Sequence, residues 1–134
     1  MNSCWRWLAM AAAVLGFSAV LLGATGSHAV KLETAAAEHS WAIALQIHYF
    51  HAAALLALAA LSAAVPTPTL LWLPGLLQVL GTLGFSGSLY LKAAQVSLLP
   101  GWVTPASGMA LLISWLCLIA ILISSFHLPA RRRQ

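Results

Sequence analysis

Charge is what this chain most lacks. Lysine, arginine, aspartate and glutamate make up 6% of its 134 residues, and only two residues are acidic. A soluble domain is about a quarter charged, so a water-facing globule is excluded on composition alone. Cysteine is scarce too. Cys4 lies in the amino-terminal head and Cys117 in the middle of an apolar run, and the difference in depth argues against a disulfide. Neither has the histidine or cysteine neighbours of a metal site. The net charge of +4 does not point to nucleic acid, because three of the six basic residues are the terminal Arg131-Arg132-Arg133 and no basic face exists elsewhere. A tail of that kind suits anionic lipid. No Asp or Glu lies inside a long apolar run. That counts against an ion-coupled transporter, and against a serine hydrolase, whose histidine needs an acid to orient it.

What fills the chain is hydrocarbon. Apolar residues make up 62% of it, at a mean hydropathy of +0.94, and they gather in runs that match membrane crossings of roughly 20 residues each. The expected fold is all-α: an integral membrane protein forming one antiparallel four-transmembrane-helix bundle over residues 1–134, with helices at about 7–26, 42–65, 70–91 and 105–126. The first run is followed by Ser27-His28-Ala29, which imitates a secretory cleavage site. At ~18 residues, however, the run exceeds the 7–15 of a signal core and reads as a retained helix. Lys31 to Glu38 has good helix formers, so a short surface helix is expected before Trp41 marks the interface. Pro66-Thr67-Pro68 ends the second helix, since proline lacks an amide donor and disfavours helix before it. Thr104 is expected to cap the fourth helix and Pro105 to open it.

Small residues mark where helices should touch. Ala12, Gly16, Ala19, Gly23 and Gly26 recur at steps of three and four, Gly81, Gly84 and Ser88 share a face of the third helix, and Gly108 opens the fourth. Such stripes let backbones approach closely in lipid. Orientation follows from basic residues near the helix ends. Arg6 and the three terminal arginines lie on one side and Lys31 and Lys92 on the other, which predicts both termini in the cytoplasm.

The polar side chains gather in one half of the bilayer. With midplanes near Ala54 and Gly81, His51 lies ~5 Å and His48 ~9 Å outward, and Ser86 ~8 Å and Ser88 ~10 Å outward. His28, Gln46, His48, His51, Ser86, Ser88 and Tyr90 are therefore the candidate lining of an outer polar pocket, while the inner half offers little beyond Gln78 and Ser62. His51 is expected to be neutral and bonded to Ser86 or Ser88, with Gly87 letting the helices close together. Tyr90 and the tryptophans read most simply as interface anchors. A metal held by His48, His51 and His28 is one alternative. Haem ligation by His51 with His28 or His48, and proton or solute passage, are others. No acidic or thiolate ligand stands at that depth, so no cofactor and no metal is expected.

Four motifs occur in order: Gly23-Ala24-Thr25-Gly26-Ser27-His28-Ala29, Gln46 to Leu56 with His51-Ala52 inside it, Phe85-Ser86-Gly87-Ser88-Leu89-Tyr90-Leu91, and Thr104-Pro105 followed by Gly108. Together, over about Trp7 to Ile123, they resemble the YgdD-like family of small four-helix inner-membrane proteins, a domain-of-unknown-function family. The sequence departs from that pattern at Thr25, at Gly26-Ser27-His28, at His48 and at Ser107-Gly108. The resemblance implies the fold and a bacterial inner (plasma) membrane, and it brings no activity with it. The function expected is non-catalytic: an accessory subunit, an assembly factor or a membrane-stabilising protein. Its partners would be the lipid bilayer and either a larger membrane complex or a second copy. The alternative is a binding or conducting protein for haem, protons or a small solute.

Overall fold

The structure is a computed structural model and describes residues 4–28, 30–65 and 68–127. Four helices follow one another: α1 (Cys4–His28), α2 (Ala35–Ala64), α3 (Trp72–Ala93) and α4 (Val103–His127), with a short 3-10 turn at Pro68–Leu71 before α3. All four are long and apolar enough to cross a membrane. The protein is an all-α membrane bundle. Of the expected terminators, Pro66 and Thr67 lie outside the described residues, as do Ala29, Pro129 and the arginine tail.

Two helix starts differ from expectation. The surface helix foreseen before Trp41 is no separate element. Thr34 sits in extended conformation and its Oγ1 accepts from the Ala37 amide at 3.1 Å, so α2 begins at Ala35 and runs unbroken. Nothing between Ala35 and Trp41 breaks a helix. At 1.5 Å per residue its 30 residues span about 45 Å, so its first turns stand clear of a ~30 Å hydrocarbon core. Thr104 does not cap α4. The helix starts at Val103, the Trp102 carbonyl accepts from the Ala106 amide, and the Thr104 hydroxyl is turned to Ser88 instead.

Packing follows chain order. α1 lies on α2, α2 on α3 and α3 on α4, while α1 and α4 occupy opposite edges. α1 buries Cys4, Leu8, Ala12, Leu15 and Ala19, a stripe at steps of three and four that faces the core. The opposite face, with Phe17 and Val20, is exposed as lipid-facing surface should be. The α3–α4 seam is tight. A Cβ on Gly81 would stand 2.6 Å from Leu111 Cδ2 and 3.1 Å from the Ser107 carbonyl oxygen. One on Gly84 would run into the Ser107 side chain. Both glycines therefore sit where they were expected, at a helix crossing. A Cβ on Gly23 would crowd the Tyr49 hydroxyl, whereas one on Gly108 would make only ordinary contact with Phe85 at 3.5 Å.

Gly16 and Gly87 were misplaced by the sequence pattern. A Cβ on either would meet nothing within 4 Å. A stripe drawn at steps of three and four spreads across more than one face of a helix, and Gly16 falls at its outward margin. Gly87 likewise does not bring α2 and α3 together. Gly75, which no stripe singled out, is pressed against Leu8 of α1.

Candidate functional site

His48 and His51 are both buried, at 4% exposure each. Three residues apart on a helix, they point about 60° away from each other, and that angle sends them to different neighbours. His48 turns to α1 and α3: its Nε2 lies 3.3 Å from Ser18 Oγ and its Nδ1 3.3 Å from Tyr90 Oη. His51 turns towards α4. Its Nδ1 lies 2.9 Å from the Ile47 carbonyl, and Trp115 Nε1 donates to its Nε2 at 3.4 Å.

At His51 donors and acceptors settle the proton. A carbonyl only accepts, so His51 carries its hydrogen on Nδ1. An indole N–H only donates, so His51 Nε2 is bare. The ring is neutral with both nitrogens used. At His48 two arrangements fit the contacts. With the Ser18 hydrogen on the Leu15 carbonyl at 3.0 Å, the Ser18 oxygen accepts from His48 Nε2–H and Nδ1 accepts from the Tyr90 hydroxyl; with the Ser18 hydrogen on Nε2, Nδ1–H donates to the Tyr90 oxygen. In either, the bonds form one chain, from Tyr90 on α3 through His48 on α2 to Ser18 on α1. Trp41 braces it, packing edge-on to the Tyr90 ring at 4.8 Å.

This corrects several expectations. His51 does not bond to Ser86 or Ser88; the histidine that reaches α3 is His48, through Tyr90. Ser88 is committed elsewhere: its Oγ bonds to the Phe85 carbonyl at 2.9 Å and to the Thr104 hydroxyl at 2.7 Å. Ser86 is 1% exposed, and its hydroxyl has no partner among the described residues. His28 and Gln46 are exposed and line no common pocket with the others. Tyr90 and Trp41 are buried at 8% and 6% exposure, not interface anchors. The seven polar residues therefore split into bonded pairs and outliers. Among the described residues no group of three His, Cys, Asp or Glu side chains is placed to hold a metal ion.

Sequence reasoning missed Ser18, Trp115 and Ser114, the last of which donates to the Pro74 carbonyl at 2.8 Å across the α3–α4 seam. It also passed over a stripe that was legible. Gln78, Thr82, Ser86 and Tyr90 follow at steps of four along α3, all buried. Tyr90 is bonded, but the side-chain polar atoms of the other three are not.

Comparison with known proteins places this arrangement in a family. Residues 22–108 match the family described as "Protein of unknown function (DUF423)", a stretch that holds His48, His51, Gly81, Gly84 and Tyr90. The chain is 35% identical over 113 residues to the UPF0382 inner membrane protein YgdD of Escherichia coli K12, covering 82% of this chain and 84% of that one. It is 34% identical over 109 residues to the UPF0382 membrane protein YwdK of Bacillus subtilis, covering 80% and 88%. A UPF0382 membrane protein of Haemophilus influenzae is 36% identical over 107 residues, covering 79% and 85%. No solved structure matches. The chain belongs to the DUF423 family, a family of membrane proteins without a known activity.

Proposed function

We propose that the protein is a non-catalytic component of the membrane, an accessory or assembly subunit or a stabiliser of its surroundings, and not an enzyme. One observation carries this reading: the third member of the Tyr90–His48–Ser18 chain is a phenol. Serine beside histidine beside a third polar group has the outline of a nucleophile triad, in which the histidine takes the serine proton and a carboxylate stabilises the imidazolium that forms. Here a neutral phenol stands where the carboxylate would be, and the Ser18 hydroxyl also has the Leu15 carbonyl within hydrogen-bond reach. The chain ties three helices together. Interhelical bonds of this kind contribute about 0.6 kcal/mol each.

The outward margin of α1, where Gly16 faces open space, suits a further helix of a larger complex or a second copy, as close contact in lipid favours small residues. Both termini are assigned to the cytoplasm of a bacterial cell from the arginine count. Purification in mild detergent tests the reading. The expected species has fixed composition, either self-associated or with a stoichiometric membrane partner, and shows no Soret band. A haem spectrum, bound metal, or proton flux in liposomes that His48→Phe abolishes would favour the binding or conducting reading instead. A reporter at Gln134 active only outside the membrane would reverse the orientation.

A further inference from the structure

The bundle end remote from the chain termini carries a cleft of about 360 Å³, set between the first turns of α2, the end of α3, the loop after it and the start of α4. Its polar lining includes Thr34, Ser40, Ser88, Lys92, Gln95 and Thr104. Lys92 is its charged side chain, and neither of the chain's two acids, Glu33 and Glu38, lines it. Several of these groups are already used: Ser40 donates to the Ala36 carbonyl, and Ser88 bonds to the Phe85 carbonyl and to the Thr104 hydroxyl. Among the described residues, the lining side chains whose hydrogens are left uncommitted are Lys92, Gln95, Thr34 and Ser97. A positive charge with spare donors is the complement of an anion with several oxygens.

The wall beside the cleft says which anion. The α3–α4 loop turns Leu98, Leu99 and Trp102 outward, at 72%, 46% and 67% exposure. A dissolved anion has no use for them, whereas the acyl chains of a phospholipid do, and tryptophan suits that interfacial depth. Gln95 adds a further observation. It is the one non-glycine residue with positive φ (61°) among those described. It closes α3 with its amide on the Lys92 carbonyl and that of Val96 on the Leu91 carbonyl, a turn for which glycine is the usual choice. Glutamine at that position costs conformational energy and contributes a side chain to the cleft.

We propose that this cleft seats the phosphate of an anionic phospholipid, with Lys92 as the charge partner and Gln95 and Thr34 as donors. The site does not depend on the subunit reading above. The test reconstitutes the full chain in an equimolar mixture of phosphatidylglycerol and phosphatidylcholine, extracts it in mild detergent and weighs retained lipid by native mass spectrometry. One basic residue near a membrane surface favours an anionic lipid about fivefold. That preference is expected for the wild type, lost in Lys92→Gln and kept in Lys31→Gln. Gln95→Gly should also weaken it while raising thermal stability in phosphatidylcholine alone, which separates a binding role from a folding one. Equal retention of the two lipids by the wild type, or a preference unchanged in Lys92→Gln, overturns the site. Inorganic phosphate added at extraction should leave the bound lipid in place. Its displacement by phosphate would show a site for free phosphate, and overturns the lipid assignment.

Discussion

The two seams of this bundle are closed by different means. Between α3 and α4 the helices meet chiefly by shape, Gly81 and Gly84 leaving room for Leu111 and Ser107 and nothing more, with a hydrogen bond near each end of the contact, Ser88 to Thr104 and Ser114 to the Pro74 carbonyl. Between α1, α2 and α3 they meet through a chain of side-chain bonds at His48. In lipid there is no hydrophobic force between helices, so close packing and interhelical hydrogen bonds are the available sources of association. The difference lies in how each fails. A bond lost in the membrane costs a fraction of a kcal/mol. An atom forced into a filled seam moves a backbone.

The comparison breaks most visibly at Gly84. Gly84→Leu should separate α4 from α3 and cost about 3 kcal/mol or more, since overpacking a tight contact typically costs 1–3. Leu83→Phe, one residue away at a position 54% exposed, should be tolerated. Unfolding in detergent, followed by tryptophan fluorescence, compares the two. Similar losses would mean that the seam is not closed by shape.

A site where both devices meet comes next. Gly26 faces the indole of Trp41, and a Cβ there would overlap that ring. Trp41 is buried and rests on Tyr90, so it cannot swing away as a flexible side chain would. Gly26→Ala should cost about 1–2 kcal/mol by overpacking. It should also shift Tyr90 against His48, which a Tyr90 ring-proton NMR shift would report. A neutral outcome would place Trp41 elsewhere than beside Gly26.

The bonded seam should respond less. His48→Phe removes two interhelical bonds and should cost about 1 kcal/mol, whereas His51→Phe removes one and should cost about half that. The order of the two, measured by the same unfolding assay, is the informative result. Equal costs would mean that the chain through Tyr90 adds nothing.

These residues also show what a sequence discloses about such a bundle. The four apolar runs and the Gly81–Gly84 face were legible, because hydropathy over 20 residues and small residues on one face are local properties. Rotation about the helix axis was not. His48 and His51 differ by about 60°, enough to give one to Tyr90 and the other to Trp115, and nothing in an isolated run fixes which side α4 occupies. Thr104 was misjudged for a related reason. Its hydroxyl had a local role to play as a cap, but a partner 16 residues away on α3 took it at 2.7 Å. Local rules describe a helix end in water, and the neighbouring helix overrides them.

The smallest effect tests the comparison from its other side, where a polar group lies in a seam and makes no bond. The Thr82 hydroxyl is 1% exposed and has no partner. A buried hydroxyl without a partner costs about 1–3 kcal/mol in a dry interior, and replacing it with an apolar group of the same shape removes that cost. Thr82→Val should therefore leave the fold unchanged or stabilise it by up to about 1 kcal/mol. Thr104→Val provides the contrast. Its hydroxyl bonds across the α3–α4 seam to Ser88, so its loss should destabilise by about 0.6 kcal/mol. The two substitutions delete the same group from the same residue type, and their signs should be opposite. If Thr82→Val destabilises as Thr104→Val does, the Thr82 hydroxyl is bonded after all, and α3 contributes a third kind of contact to the bundle.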